Sequence, residues 1–192
     1  MSESLITKKA LSAGLKKLME KKSFSKITIA DIAENCGLNR QTFYYHFQDK
    51  YELLNWIYYN EAIAVFTDRL ALDNWDKKVL ELLTIMKRDA YFYENALKEP
   101  ENNEFQNYLF CVAKEFFINV IDNLSREETV SETDKLFLAE FISYGVVGMI
   151  VSWAKSGMKQ TPEEITAHIC RIISHTKYAA ARSYHPNSIP SL

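Results

Sequence analysis

A short segment near the N-terminus contains three closely spaced helix starts, at Thr28, Asn39 and Asp49, and it constrains the fold more than any other feature. Thr28 and Asp31 have the spacing of a capping box, in which each side chain bonds the backbone N–H of the other residue. Gly37 predicts the end of the first helix, because glycine adopts the left-handed conformation without strain. Two short helices joined by a turn of this length are typical of a helix-turn-helix.

The second helix of this pair has one apolar and one polar face. At about 100° per residue, Phe43 and Phe47 lie together and are predicted to point into the core. The opposite face offers the donors, acceptors and flat aromatic ring that read base edges in a DNA major groove. It is formed by Arg40, Gln41, Thr42 and Tyr45, and the flanking side chains within reach of phosphates are Tyr44, His46 and Lys50. The alternative is a helical hairpin whose polar face only meets water.

Lys50 stands at the start of the third helix, where a cation opposes the positive end of the helix dipole. Local stability therefore does not favour lysine at this position. A phosphate group bound at the same helix start would reverse the sign of that electrostatic argument. The sequence thus favours a phosphate-binding role for Lys50.

Charge is distributed unevenly along the chain, although the net charge is only −2. Residues 1–50 carry nine Lys or Arg and five Asp or Glu, while the remaining residues carry 14 basic and 20 acidic groups. A basic segment beside an acidic one is typical of a DNA-binding head on a body with another role, although lysine runs also occur on solvated helix faces. We therefore divide the chain into residues 1–50, a helix-turn-helix domain, and residues 51–192, a helical body for effector or partner binding and dimerisation.

Helical periodicity dominates the 192 residues, and no convincing strand alternation occurs. We predict an all-α protein of about nine helices, in which a three-helix head precedes a larger bundle. The longer predicted helices cover residues 4–22, 50–72, 104–123, 133–156 and 161–184.

The sequence predicts a cytoplasmic protein without a membrane partner. The N-terminus has no signal-peptide pattern, and the longest uncharged run, residues 141–154, has 14 residues. That length is short of the roughly 18–20 residues that span a bilayer. The three cysteines lack metal-ligand or C-x-x-C spacing, so they are interpreted as buried thiols in a reducing cytosol.

Signals of enzymatic chemistry are missing from the sequence. It contains no Gly-rich phosphate loop, no G-x-S-x-G motif and no paired carboxylates in an apolar setting. His168 and His175 are seven residues apart on one helix face, but a metal site would need further ligands. We expect no enzyme, no cofactor and no metal. An enzyme and a pure protein-interaction bundle remain alternatives that a DNA titration would distinguish.

Several motifs within residues 5–55 resemble the TetR family of bacterial regulators. They are the runs TIADIAENCG at 28–37, TFYYHF at 42–47 and KYELL at 50–54. The resemblance implies an all-helical fold with a three-helix head that binds operator DNA. It also implies a C-terminal bundle that dimerises through its last two helices and holds an effector pocket.

Functional residues follow from the same resemblance, position by position. It implies phosphate contacts from Thr28, Tyr44, His46 and Lys50, and base contacts from Arg40, Gln41, Thr42 and Tyr45. Ala30 departs from the pattern, because some members carry a long base-reading side chain there. Base readout is therefore expected to rely on the second helix of the motif.

Two later segments, residues 88–93 and 144–159, resemble a TetR subgroup that includes regulators of dihydroxyacetone kinase operons. That resemblance implies an activator controlled by a kinase-like coactivator protein that binds dihydroxyacetone. The alternative is a TetR-type repressor that a small hydrophobic ligand in the C-terminal bundle releases from DNA.

Two glycines interrupt the strongly apolar helix predicted at 133–156, at a cost of roughly 1 kcal/mol each relative to alanine. Close helix approach across a two-fold dimer interface would offset that cost, and the alternative is a crossing with another helix of the same chain. The predicted interface consists of Gly145, Gly148, Met149, Ile169, Ile172 and Ile173.

Aromatic residues are frequent, with 11 Tyr, 11 Phe and 3 Trp. A set of them in the body is a candidate lining for an effector pocket, namely Trp56, Tyr59, Tyr91, Tyr93, Phe105, Tyr108, Tyr144 and Trp153. Aromatic residues at helical spacing also build ordinary hydrophobic cores, so a plain core is the alternative.

Overall fold

The computed structural model of the chain describes residues 3–99, 103–124 and 131–183, with side chains except at residues 124 and 175–183. Regular secondary structure within these ranges is entirely helical, which confirms the all-α prediction. The nine described α-helices are α1 Glu3–Met19, α2 Ile29–Asn35, α3 Arg40–His46, α4 from Lys50 to Thr67, α5 Trp75–Arg88, α6 Ala90–Leu97, α7 Glu104–Leu124, α8 Glu132–Lys155 and α9 Pro162–Ser183. A 3-10 turn, Phe24–Lys26, connects α1 to α2.

Helices α1, α2 and α3, which we call the head, pack around buried apolar side chains that include Leu11, Leu15 and Ile32. Gly14 lets α1 approach α2 closely, because a Cβ at this position would collide with the Sγ atom of Cys36. Burial raises the pKa of the Cys36 thiol. The thiol donates to Ala10 O of α1 at 3.2 Å and so contributes to the packing of the head.

The caps of the helix-turn-helix form as the sequence predicts. Thr28 Oγ1 accepts a hydrogen bond from Asp31 N at 3.2 Å, and Thr28 N donates to Asp31 Oδ2 at 2.9 Å. Asn39 Oδ1 accepts from Thr42 N at 2.8 Å. Gly37 has a φ of +66°, in the left-handed region. Each side-chain cap stabilises its helix by about 1 kcal/mol.

Helix α4 is continuous but changes its hydrogen-bond pattern along its length. Lys50–Ile57 and Ala64–Thr67 are α-helical, and the stretch between them, Tyr58–Ile63, is π-helical. A π-helical stretch accommodates one extra residue within the helix. The first part of α4 contacts α1 of the head, and the later parts contact α5 of the body.

Two helices end earlier than the sequence predicts. α1 stops at Met19 rather than at residue 22, because the side chain of Asn95 in α6 donates to Met19 O at 3.1 Å. α4 stops at Thr67 rather than at residue 72, because Arg69 takes a positive φ of 56°. The side chain of Asn74 then closes the loop by donating to Arg69 O at 2.8 Å.

Helix α8 is the one helix in the described ranges that is long and apolar enough to cross a membrane, judged by length and composition alone. The sequence prediction considered only runs without any charged residue. This helix meets the length and hydropathy criteria for a membrane span when up to two charged residues are allowed. The inner face of α8 packs against α6 and α7. Its outer face exposes apolar side chains, which are Leu136, Phe137, Phe141, Tyr144 and Met149.

Candidate nucleic-acid interface

Helix α3 presents the two faces that its sequence predicts. Phe43 and Phe47 are buried, with ring centres 5.9 Å apart, and they hold the helix against the rest of the head. Tyr45 points the other way and is 83% exposed. Arg40 and Gln41 are exposed as well, and Thr42 is half-buried. The residues predicted to read bases therefore lie together on the solvent side of α3.

Contacts among these side chains leave hydrogen-bonding groups directed at solvent. Arg40 Nη2 donates to Tyr44 OH at 3.4 Å, and the guanidinium lies 6.0 Å from the centre of the Tyr44 ring. Thr42 Oγ1 donates to Asn39 Oδ1 at 3.0 Å, so this hydroxyl offers a base only its acceptor lone pairs. Tyr45 keeps its hydroxyl at the far end of an exposed ring. The face can thus supply both donors and acceptors.

The residues predicted to contact phosphates flank this face. Thr28 and Tyr44 are exposed, and His46 is half-buried, with its Nδ1 atom 3.5 Å from Ser4 Oγ. Because the Thr28 hydroxyl oxygen accepts from Asp31 N, the proton of that hydroxyl can point away from the helix. These three side chains bring polar atoms to the rim of the α3 surface.

Lys50 differs from the other rim residues, because its ammonium group is bound within the protein. Its Nζ atom donates to the carbonyl oxygens of Phe24, Ser25 and Ile27 at 2.9, 3.1 and 3.0 Å. It also lies 4.6 Å from the centre of the Phe24 ring. The prediction that local stability does not favour Lys50 is therefore wrong, because three carbonyls of the preceding turn bind the cation, Phe24 O in addition to its bond from Ile27 N. Burial lowers the pKa of Lys50, and the Glu99 carboxylate opposes part of this effect.

Asn95 of α6 connects the head to the body. Its Nδ2 atom donates to Met19 O at 3.1 Å and to Lys22 O at 2.8 Å, and its Oδ1 atom accepts from Phe24 N at 2.9 Å. One side chain therefore satisfies three backbone groups where α1 ends and the 3-10 turn begins. Sequence reasoning missed Asn95, because its partners lie 71 to 76 residues away and no local pattern marks them.

A second connection is built around Lys16 of α1. Its Nζ atom forms ion pairs with Glu61 in the π-helical stretch and with Asp89 Oδ2, the latter at 2.8 Å. Ser12 Oγ donates to Glu61 Oε1 at 2.8 Å, and Arg88 Nη2 donates to Asp89 Oδ2 at 2.9 Å. Burial alone would raise the pKa of Asp89, but the hydrogen bonds from Arg88 and Lys16 outweigh it and hold this pKa below its ordinary value.

The residues predicted to form a dimer interface divide between surface and core. Those on the surface are Gly145, Gly148, Met149 and Ile172. Ile169 and Ile173 are buried inside their own chain, where α9 packs against α5, so assigning these two to an interface is wrong. A Cβ added at Gly145 or Gly148 would meet nothing within 4 Å among the described residues. These residues therefore provide no close helix crossing within the chain that would explain the glycines.

The aromatic residues predicted to line an effector pocket do not surround a common cavity. Tyr59, Tyr91, Tyr108 and Tyr144 are exposed, Trp56 is half-buried, and Tyr93, Phe105 and Trp153 are buried. Tyr93 and Phe105 pack with Tyr58 at ring distances of 4.7 to 6.0 Å, as in an ordinary core. The pocket prediction is wrong, because helical spacing alone does not reveal whether the faces of different helices converge.

The described ranges contain a small cavity and a larger cleft elsewhere in the body. An apolar cavity of about 40 Å³ lies beside Trp75, Phe116 and Ile173. A larger, open cleft of about 500 Å³ lies between α4 and α5. No group of three or more His, Cys, Asp or Glu side chains in the described residues is placed to hold a metal ion. His168 is exposed, and the side chain of His175 lies outside the described set.

Comparison with known proteins relates both parts of the chain to transcription regulators. Residues 11–57 match the family model of bacterial regulatory proteins of the tetR family, and residues 73–175 match that of a transcriptional regulator C-terminal region. Over 143 residues the chain is 27% identical to the HTH-type dhaKLM operon transcriptional activator DhaS of Lactococcus lactis subsp. lactis (strain IL1403). That match covers 73% of this chain and 75% of the relative.

Solved structures share the fold. A dihydroxyacetone kinase operon activator DhaS superimposes with a TM-score of 0.72 at 22% identity, covering 91% of this chain and 98% of the other. NalD, the secondary repressor of the MexAB-OprM multidrug efflux pump in Pseudomonas aeruginosa, gives 0.60 at 16% identity, covering 90% and 97%. The two family models together span most of the chain, from residue 11 in α1 to residue 175 in α9. The chain belongs to the TetR family of transcription regulators, which are not enzymes.

Proposed function

We propose that this regulator binds operator DNA with the solvent face of α3 in the major groove. The observation that carries the proposal is the orientation of α3, whose buried phenylalanines turn Arg40, Gln41, Thr42 and Tyr45 toward solvent. Arginine and glutamine can each make paired hydrogen bonds to a base edge. The exposed Tyr45 ring adds apolar contact. In this proposal residues 1–50 form the DNA-binding domain and residues 51–192 form the regulatory body.

The rim of α3 is proposed to position the protein on the phosphate backbone. Thr28, Tyr44 and His46 bring polar atoms to this rim, and the surplus of cations in residues 1–50 attracts the polyanion. We assign Lys50 a different first role, which is to hold the turn before α2. Any phosphate contact from Lys50 would then compete with its three carbonyl bonds.

A homodimer is proposed to form through the outer face of α8 together with exposed parts of α9. Phe137 and Phe141 are 73% and 68% exposed, and Tyr144, Gly145 and Gly148 follow at helical spacing on the same helix. A patch of this kind is costly in water unless a partner covers it. A two-fold dimer would also present two heads to two half-sites about one DNA turn apart.

We further propose that the target genes encode dihydroxyacetone kinase and that a kinase-like coactivator protein controls the regulator in the cytoplasm. The proposal draws on the similarity to DhaS, which is named as an activator of the dhaKLM operon. The apolar cavity in the body has a volume of only about 40 Å³. This cavity is too small to enclose a drug-sized hydrophobic ligand. The alternative, a ligand-released repressor, would instead need the open cleft of about 500 Å³ between α4 and α5.

Base reading by α3 is tested by selecting binding sites from a random DNA pool and titrating the best site against a scrambled one. Arg40→Ala and Tyr45→Ala are expected to reduce the preference for the selected site by about tenfold, since a good base contact contributes roughly 1–3 kcal/mol of discrimination. Tyr91→Ala removes an exposed tyrosine far along the chain and is the control. Unchanged preference in both head variants would reject the assigned face.

The coactivator proposal is tested by passing lysate of the source cell over the immobilised protein, with and without dihydroxyacetone. Recovery of a kinase-like protein that depends on dihydroxyacetone is the expected result. Recovery of no kinase-like protein under either condition would overturn the coactivator proposal and leave DNA binding unaffected.

A further inference from the structure

Two kinds of connection join the head to the body. One is the backbone of α4, which runs continuously from Lys50 beside the head to Thr67 in the body. A single helix fixes the distance between two parts, but it leaves the head free to bend and twist about it. Contacts between α1 and α6 provide the second point of attachment that a defined orientation requires.

Asn95 supplies the directional part of this second attachment. Its Nδ2 atom donates to Met19 O and Lys22 O, at 3.1 and 2.8 Å, and its Oδ1 atom accepts from Phe24 N at 2.9 Å. The side chain is short and partly buried, and all three of its partners are backbone groups. A rotation of the head relative to α6 therefore lengthens or bends at least one of these bonds, and hydrogen bonds weaken steeply when they bend.

The backbone that Asn95 binds, residues 19–25, is also held by α4 and leads directly into α2. Lys50 Nζ donates to the carbonyl oxygens of Phe24 and Ser25 at 2.9 and 3.1 Å. One turn after Asn95 on α6, Glu99 Oε1 accepts from Ser25 N at 3.2 Å. Residues 19–25 are thus bonded both to the body and to the start of α4. The direction of α2 and α3 is set where these bonds meet.

The ion pairs of Lys16 attract the head to the body without selecting one angle. Lys16 Nζ pairs with Glu61 and Asp89, and the three side chains are 19% to 28% exposed. An ammonium group is a point charge on a flexible stem, so it follows its partners through small displacements. Ion pairs near the surface also contribute only about 0–1 kcal/mol. The orientation of the head therefore depends more on Asn95 than on these charges.

We propose that Asn95 is a positioning residue for operator binding, which fixes the direction of α3 relative to the body so that both heads of a dimer engage one operator together. This inference rests on the proposed binding of a two-half-site operator by a homodimer. Asn95 lies on α6 and is not part of the solvent face of α3. Its effect arises after one head has bound, because a rigidly held second head meets its half-site at a higher effective concentration than a swinging one.

The test compares the affinity for the full operator, selected from a random DNA pool, with the affinity for one of its half-sites. Asn95→Leu removes all three bonds at similar side-chain volume, and Asn95→Asp removes the two donated bonds but keeps the acceptor for Phe24 N. Each variant is expected to lower the ratio of full-operator to half-site affinity by about tenfold or more, with the half-site affinity unchanged. Asn119→Leu is the control, because Asn119 Nδ2 donates within its own helix, to Glu115 O at 3.0 Å.

The half-site separates orientation from damage to the head. An equal fall in both affinities would overturn the proposal, because the role of Asn95 would then lie in the fold of the head itself. Unchanged affinities in both Asn95 variants would overturn it as well. A parent chain that selects no operator would contradict the proposed function, and the role of Asn95 is then decided by a measurement without DNA.

Residual dipolar couplings of the isotope-labelled protein report the orientation of the head in the absence of DNA. In the parent chain, the amides of α2 and α3 are expected to fit the same alignment tensor as those of α5 and α7. In Asn95→Leu the head amides should still fit one tensor of their own, but with a smaller magnitude, because a reorienting head averages its alignment. A tensor still shared by head and body in this variant would reject the orienting role. Head amides that fit no single tensor would show loss of the head fold and would reject it too.

Discussion

Replacing Lys50 with methionine is expected to lower the free energy of unfolding by about 2–3 kcal/mol. The methionine side chain keeps the packing against Phe24 but removes the donor that serves the carbonyls of Phe24, Ser25 and Ile27. The loss of three charge-assisted hydrogen bonds, two of them partly buried, disfavours the folded head, although Phe24 O keeps its bond from Ile27 N. Urea unfolding at a fixed protein concentration measures the change.

Lys26→Met is the matched control for this substitution. Lys26 lies in the same turn and is exposed. Its replacement removes the same positive charge from the head. Its unfolding free energy should stay within about 0.5 kcal/mol of the parent. If both variants unfold like the parent and only the Lys50 variant loses DNA affinity, Lys50 is a phosphate ligand and its carbonyl bonds contribute little.

Replacing Phe141 with aspartate is expected to raise the dimer dissociation constant by at least about a hundredfold. Phe141 is 68% exposed in the single chain, at the middle of the outer face of α8. A two-fold interface would bury the new carboxylate twice and without a counter-charge. Sedimentation over a range of protein concentrations measures the shift toward monomer, and operator affinity should fall with it.

Two further variants sharpen this prediction. Gly148→Leu is expected to act in the same direction, since Gly148 is exposed and a Cβ added there meets no described atom of its own chain within 4 Å, so the larger side chain projects toward a partner. Tyr91→Asp introduces the same charge on α6, at an exposed aromatic outside the α8 face, and should leave the oligomeric state unchanged. A Phe141 variant that sediments as a dimer would reject the proposed interface.

Local signals were sufficient for the helix-turn-helix, because its interactions span three or four residues. The capping box of Thr28 and Asp31, the Asn39 cap and the turn at Gly37 are all encoded within single helix turns. The rotation of α3 also follows from sequence, because Phe43 and Phe47 specify its buried side. The candidate DNA face could therefore be located before any tertiary contact was known.

Predictions failed where the deciding contact comes from a distant part of the chain. The end of α1 depends on Asn95, and the environment of Lys50 depends on a turn 23 to 26 residues earlier. Periodicity finds an apolar face but does not say what covers it. For that reason Ile172 and Ile173 were assigned to one interface, although one is exposed and the other is buried.

The π-helical stretch Tyr58–Ile63 changes the direction in which the later residues of α4 face. An α-helix advances about 100° per residue, so one extra residue turns everything after it by more than a quarter of a revolution. Glu61, which lies within this stretch, pairs with Lys16 of α1. In a dimer held at α8, the same angle would determine how far apart the two heads stand. The half-site spacing would then depend on backbone length in α4, in addition to the side chains that touch DNA.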